Sequence, residues 1–380
     1  MSPDPDPVAV FTDRLVRLAE LAGVSGADAV LITPGPDLAY FIGHSIGSHE
    51  RLTCLVVPAT GGPSLLVPTL ERPGWAGSPV ERMDVAIGTW TDGQDPYAAL
   101  AGLLPADARV LAVDYHMPAV HALNAQAIVP GSELTLAGET IAQLRMRKSA
   151  DEVAALAAAG AAIDRVQVRI GEWLRPGRTE NEVAADIAAA IVAEGHERPD
   201  FVIVGSGPNG ASPHHEASDR VIEPGDVVVI DIGGPMPSGY FSDCTRTYVA
   251  GSAAGGAVPD RVREVYELVR RAQAAGVAAV RPGATAESVD AASRSVIDDA
   301  GFGEYFITRT GHGIGLEVHE HPYMVAGNSI PLEVGMAFSV EPGIYLPGEF
   351  GVRIEDIVVV GESGALLMNN ASTELVVVGG

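Results

Sequence analysis

Two stretches place acids in the middle of strand-forming sequence. From Val227 to Tyr248 the chain reads VVVIDIGGPMPSGYFSDCTRTY. A β-branched run ends in Asp231, a Gly/Pro-rich turn follows, and a second extended run carries Asp243. A turn centred near Pro237 pairs these strands antiparallel and sets the two aspartates directly opposite, with Cβ atoms about 5 Å apart. From Gly335 to Val360, GMAFSVEPGIYLPGEFGVRIEDIVVV repeats the design, with Glu341 and Glu355 facing each other about Gly348. Carboxylates that close repel unless a proton or a cation lies between them. One such acid alone reads as half of a salt bridge, since a buried unpaired charge is strongly destabilising. Four in matched cross-strand pairs read as a metal site.

The two stretches belong to an internal repeat. RPGRTENEV (175–183) recurs as RPGATAESV (281–289), each with Thr ahead of an acidic helix start, an N-cap arrangement. IEPGDVVVID (222–231) is answered by LEVGMAFSVE (332–341), with Gly at the same distance before each acid. Two helix-plus-hairpin units facing each other about a pseudo-twofold bring the four carboxylates together. His312, in the Gly-rich TGHGIGLEVHEHP, adds an imidazole where backbone and cation can approach closely. The set Asp231, Asp243, His312, Glu341 and Glu355 is oxygen-rich with a single nitrogen donor, a hard site suited to Mn²⁺ and open to Co²⁺ or Zn²⁺. Four negative charges balance two divalent ions, and such a pair generates hydroxide from water near neutral pH.

The rest of the chain frames this site. A length of 380 residues implies two domains, and 47% apolar residues suffice for two cores. A net charge of −25 argues against nucleic acid, which needs clustered Lys and Arg. Cys54 and Cys244 lack a CxxC spacing, no leader pattern opens the chain, and no apolar run is long enough to span a membrane; these features imply a soluble, cytoplasmic protein. Residues 1–138 alternate strands and helices with short connections, as in a small α/β domain. His44 and His49 in this half read as structural or solvated residues. Residues 139–170 read as one long alanine-rich helix opening the second domain, 139–380, with the charges of LRMRKSADEV on a solvated face. Gly205, Gly207 and Gly210 match GxGxxG after FVIV, but prolines and polar residues follow where a nucleotide-binding helix must start, so the match is rejected.

DIGG…SDCTRT, GHGIGLEVHEHP, SVEPGIY and GVRIED together resemble the pita-bread metallopeptidases, among them methionine aminopeptidase, Xaa-Pro aminopeptidase and prolidase. With its N-terminal α/β half, the chain looks like the prolidase and Xaa-Pro aminopeptidase branch. The resemblance implies an α+β pita-bread catalytic domain preceded by a smaller creatinase-like α/β domain. It implies that Asp243 and Glu355 bridge two metals, that Asp231 completes one, and that His312 and Glu341 complete the other. It implies hydrolysis of an Xaa-Pro bond by a metal-bridging hydroxide, with Glu341 shuttling the proton and His214 and His319 serving substrate and oxyanion. The spacing of SPHHEASDR to Asp231 selects His214 over His215, which with His321 reads as a packing residue. Arg353 and Tyr345 match residues that orient the carboxylates.

One departure stands out. Prolidases often have an Arg just after the HExP segment, suited to a dipeptide's carboxylate, and here that position is Tyr323. Arg353 or Arg51 would then have to supply the cation. Dipeptidase and aminopeptidase readings both stay open, the first on Xaa-Pro dipeptides and the second on longer peptides with proline second. A non-catalytic binding protein and a metal-free creatinase-like hydrolase on the same fold are disfavoured by the intact ligand set. The resemblance also implies a homodimer.

Overall fold

The computed structural model describes residues 7–47, 50–251 and 258–379. The chain divides into two units, Met1–Arg145 and Met146–Gly380. In the first, α1 (Pro7–Ser25), β1 (Ala29–Ile32) and α2 (Pro36–Ile42) precede a hairpin of β2 (Cys54–Pro58) and β3 (Ser64–Pro68). β4 (Ala86–Trp90), α3 (Pro96–Ala101), β5 (Val110–Val113), α4 (Ala119–Ile128), β6 (Glu133–Leu136) and α5 (Gly138–Arg145) follow. The sheet order is β4-β3-β2-β1-β5-β6, with β2 antiparallel to both neighbours and the other pairs parallel. Leu31, Val56, Leu66, Leu111 and Trp90 share one face as core. His44 packs against Trp75, ring centroids 5.0 Å apart, and His49 lies outside the described residues. Arg51 is held by Asp92 and Glu50.

The stretch read as one helix is two. α5 ends at Arg145, and α6 (Ala150–Val168) starts afresh behind Ser149. Ser149 accepts from the Glu152 amide, while the Glu152 carboxylate accepts from the Ser149 amide at 2.8 Å. This capping box fixes the start of α6. The charges between the helices are not a solvated face either. Arg145 pairs with buried Asp37 at 2.7 Å, and the Lys148 ammonium, 1% exposed, pairs with Glu320.

In the second unit α6 is followed by α7 (Glu180–Ala193), β7 (Phe201–Ser206), β8 (Val227–Pro235), β9 (Phe241–Ala250), α8 (Asp260–Ala279) and α9 (Ala286–Asp299). Then come β10 (Gly311–Gly313), β11 (Glu320–Met324), β12 (Ala337–Val340), β13 (Gly343–Leu346), β14 (Phe350–Arg353), β15 (Asp356–Gly361), β16 (Gly364–Leu367) and β17 (Val376–Val378). The sheets order as β17-β9-β8-β7, β11-β10-β12-β15-β16 and β13-β14. α6 and α7 bury Ile163, Val166 and Ile187 against Val228, Ile230 and Cys244, while α8 buries Val265 and Val269 against Ile344 and Val352. This is the α+β, internally repeated architecture implied by the sequence. Thr179 caps α7 and Thr285 begins α9; each forms an isolated bridge, to Val221 and Pro331 respectively. β7 runs into a short 3₁₀ turn, Gly207–Ala211, and no α-helix starts there to hold a pyrophosphate.

The register of β8 and β9 corrects one expectation. Asp231 pairs with Thr245 and Asp243 with Gly233, so the hairpin centres on Ser238 and the aspartates are diagonal neighbours. They still share a face, because the offset is two residues. The second hairpin centres on Gly348 as expected. Val340 pairs with Asp356 and Gly343 with Arg353, and Glu341 and Glu355 fall where these two ladders are interrupted.

Gly225 and Gly335, equivalent in the repeat, both have φ of +90°. Any side chain is strained there, by about 1–2 kcal/mol. A Cβ on Gly225 meets open space, whereas one on Gly335 runs into the Lys148 carbonyl at 2.7 Å. Gly335→Ala is therefore expected to lower the denaturant midpoint more than Gly225→Ala; equal losses would show that the Lys148 contact does not matter.

Candidate metal centre and cavity

Strand alternation sends Ile230, Ile232 and Cys244 into the core and leaves Asp231 and Asp243 on the opposite face. Thr245, opposite Asp231, joins the two hairpins: its hydroxyl donates to Glu355 Oε2 at 2.7 Å, and its carbonyl accepts from the Glu355 amide at 3.1 Å. From the second repeat, Ser339 accepts from the His312 amide and donates to Glu341 Oε1, both at 3.0 Å. His312 Nδ1 lies 3.2 Å from the Gly313 carbonyl, and Nε2 faces the acids. Nε2 is 3.1 Å from Glu341 Oε1 and 3.6 Å from Asp243 Oδ2. One donor atom each from Asp243, His312 and Glu355 lies within 4.8 Å of the others.

Arg353 holds this cluster from behind. Its guanidinium donates to Asp231 Oδ2 at 2.7 Å, to the Tyr345 hydroxyl at 2.9 Å, to Thr245 Oγ1 at 3.1 Å and to the Pro213 carbonyl at 3.2 Å. The other oxygens are left over. Asp231 Oδ1, Asp243 Oδ1 and Glu355 Oε1 are buried and accept no hydrogen bond among the described residues. Burial, reinforced by the facing carboxylates, pushes the Asp243 and Glu355 carboxyls well above their ordinary range. Orphaned, mutually repelling oxygens around one imidazole are what hard divalent cations bind. The residues present fit a divalent-metal centre.

The cluster opens into a cavity of about 810 Å³, also lined by His214, His319, Thr308 and Arg309. The His319 ring stands edge-on to His312, centroids 4.1 Å apart. One edge of His319 reaches solvent, yet burial, then the charges of His312 and Arg309, pull its pKa down to about 4. It is therefore a neutral donor near pH 7. His214 is exposed on the wall, and His215 is tied down, its Nε2 2.8 Å from Glu180 Oε2. Tyr345 reaches the centre only through Arg353. Tyr323 stands behind the wall, with the Arg309 guanidinium over its ring at 4.5 Å and His321 beside it at 4.9 Å.

Sequence reasoning missed Thr245, Ser339, Arg309, Thr308 and Glu180. Glu180, fully buried at the start of α7, accepts from Ser206, Asn209, His215 and Ser218, and so fixes the loop that carries His214. Its counterpart in the repeat, Ala286, has no such task, and that difference was the available signal.

A buried, oxygen-rich cluster opening into a cavity has the make-up of a candidate divalent-metal centre. Residues 154–362 match metallopeptidase family M24, and residues 14–147 match the creatinase/prolidase N-terminal domain. The chain is 50% identical over 373 residues to the probable dipeptidase PepE of Mycobacterium tuberculosis, covering 97% of each. It is 34% identical over 378 residues to the Xaa-Pro dipeptidase of Lactobacillus helveticus, covering 96% of this chain and 99% of that one. The crystal structure of dipeptidase PepE from Mycobacterium ulcerans matches with a TM-score of 0.93 at 53% identity, over 99% of this chain and 100% of that one. The protein belongs to metallopeptidase family M24 and is a peptidase. Among the described residues, no helix is long and apolar enough to cross a membrane.

Removing one repelling charge is expected to help the metal-free protein and harm the metal-bound one. Asp243→Asn should raise the melting temperature in chelator by about 2–4 °C, the scale of roughly 1 kcal/mol, while losing most of the stabilisation that added metal gives wild type. A variant stabilised by metal as strongly as wild type would remove Asp243 from the ligand set. Glu180 behaves oppositely: burial raises its pKa, but hydrogen bonds from Ser206, Ser218 and His215 prevail and lower it from 4.5 to about 2. Ionised Glu180 therefore stabilises the fold above about pH 4.5, and that contribution fades as pH falls through about 2. Denaturant melts should show wild type well ahead of Glu180→Gln at pH 7, with the gap narrowing by pH 3; a constant gap would contradict this.

Proposed function

We propose that the protein is an Xaa-Pro dipeptidase of prolidase type, working with two divalent ions, Mn²⁺ by ligand hardness. The observation that carries this is the set of orphaned carboxylate oxygens facing a cavity that also presents a neutral imidazole. The Xaa-Pro specificity is supported by the relative from Lactobacillus helveticus, which bears that name. In this reading Asp231, Asp243, His312, Glu341 and Glu355 would hold the ions. When bound, such ions polarise the scissile carbonyl and make water nucleophilic near neutral pH.

The protein's own groups do the rest. Glu341 is partly buried, which raises its pKa, yet hydrogen bonding and charge from His312, the charge of Arg353 and hydrogen bonding from Ser339 hold it below the ordinary range. It thus stays ionised, ready to take a proton from the attacking water and pass it to the departing amine. His319 donates to the oxygen that gains negative charge as the carbonyl is attacked. His214, on the opposite segment of the wall, holds the substrate, while His215 serves only to anchor that segment to Glu180. Arg353 keeps Asp231 oriented through the reaction. The enzyme is proposed to be a homodimer, on the family resemblance. It is proposed to be cytoplasmic, in keeping with two buried, free cysteines.

Two measurements test this. Chelated enzyme reloaded with Mn²⁺ should hydrolyse Ala-Pro in preference to Ala-Pro-Ala. Preference for the tripeptide would make it an Xaa-Pro aminopeptidase, and inactivity on both would leave the centre without its assigned specificity. His214→Ala should lower kcat/KM for Ala-Pro by about 10-fold, as for a lost substrate hydrogen bond, and His215→Ala by less. The reverse order would exchange their roles.

A further inference from the structure

Among the described residues, two arginines line the cavity, and they are in opposite situations. Arg353 is 3% exposed in its side chain and commits its guanidinium to Asp231, Tyr345, Thr245 and Pro213. Four of its five N–H groups are thereby taken, which leaves little for a substrate. Arg309 faces the cavity and forms no ion pair among the described residues. Its guanidinium carbon lies over the Tyr323 ring, 4.5 Å from the centroid, and Tyr323 is the direct β-ladder partner of His312. The platform under the cation is thus in register with the metal centre. Next to Arg309, Thr308 also lines the cavity, and its buried hydroxyl has no hydrogen-bond partner among the described residues.

Stacking on an aromatic face orients a guanidinium while leaving its N–H edge free, so less side-chain entropy is lost when a planar anion binds. The anion has to be brought by the substrate, because the remaining charged groups on the wall are acids: Asp200 and Glu216 add to those of the centre. Away from the centre, whose acids bound ions would offset, Arg309 is the cation left for a peptide carboxylate among the described residues of the wall. We propose that Arg309, laid on Tyr323 and assisted by the Thr308 hydroxyl, binds the substrate's C-terminal carboxylate and so restricts cleavage to dipeptides. Tyr323 then positions the cation from behind the wall instead of meeting the substrate. This rests on the Xaa-Pro reading above and supplies the carboxylate anchor that Tyr323 itself cannot.

The test compares Ala-Pro with Ala-prolinamide, which differ only in the charge at the C-terminus, on Mn²⁺-loaded enzyme. Wild type should favour the acid. Arg309→Met should raise KM for Ala-Pro by about 10- to 100-fold, the range for a lost charge-assisted hydrogen bond, and leave Ala-prolinamide unchanged. Tyr323→Phe, which keeps the ring, should match wild type, while Tyr323→Leu raises KM for the acid alone. Inhibition of the unaltered enzyme needs no variant: free proline should inhibit more strongly than prolinamide. Equal losses on acid and amide in Arg309→Met, or equal inhibition by proline and prolinamide, would overturn the assignment of Arg309. A wild-type enzyme that cleaves neither substrate would overturn the Xaa-Pro reading, and the assignment with it.

Discussion

Four carboxylates share one buried wall with a single arginine behind them, and this imbalance of charge governs the rest of the second unit. Two like charges about 4 Å apart repel by about 4 kcal/mol at the effective dielectric of a protein near its surface. The fold offsets part of this with Arg353 and with neutral donors, Thr245 and Ser339, that bind only one oxygen of each acid they touch. The outward oxygens of Asp231, Asp243 and Glu355 receive nothing. The interior is in effect cast around positive charge that the chain does not supply. Occupancy of the centre and stability of this unit are therefore two faces of one equilibrium.

Glu180 shows that burial alone does not make an acid a ligand. It is as inaccessible as Glu355, but its two oxygens receive hydrogen bonds from Ser206, Asn209, His215 and Ser218, and its pKa falls where that of Glu355 climbs. Counting donors separates the two roles: a structural acid has its oxygens satisfied by the chain, and a ligand is left short. The same contrast applies to the arginines of the cavity, Arg353 with four of its five N–H groups engaged and Arg309 available.

The sequence made the acids legible because they interrupt β-branched runs and recur in a repeat. It also placed the centre of the second hairpin, since Val340–Asp356 and Gly343–Arg353 follow from a turn at Gly348. The first hairpin was misread by one residue, because Pro237, Ser238 and Gly239 all favour turns and composition cannot choose among them. The offset of the pairing was hidden; the shared face was not. Residues 139–170 show a different limit. Periodicity reports which side of a helix is apolar, but it cannot reveal that Lys148 has a buried partner in Glu320, far along the chain. Tyr323 read as the loss of a cation for the same reason, since only the fold brings Arg309 onto its ring.

The two repeats deliver their acids by different mechanical means. Asp231 and Asp243 are short side chains on an unbroken ladder running from Val227 to Ala250. Glu341 and Glu355 are one methylene longer and stand in a gap between ladders, where the Glu341 amide donates instead to the Thr310 carbonyl at 2.7 Å and the Glu355 amide to the Thr245 carbonyl at 3.1 Å. Both pairs are thus fastened in the backbone, and the second has the added reach of a longer side chain. The longer side chains of the second pair would let it follow divalent ions whose preferred bond lengths differ by a few tenths of an ångström.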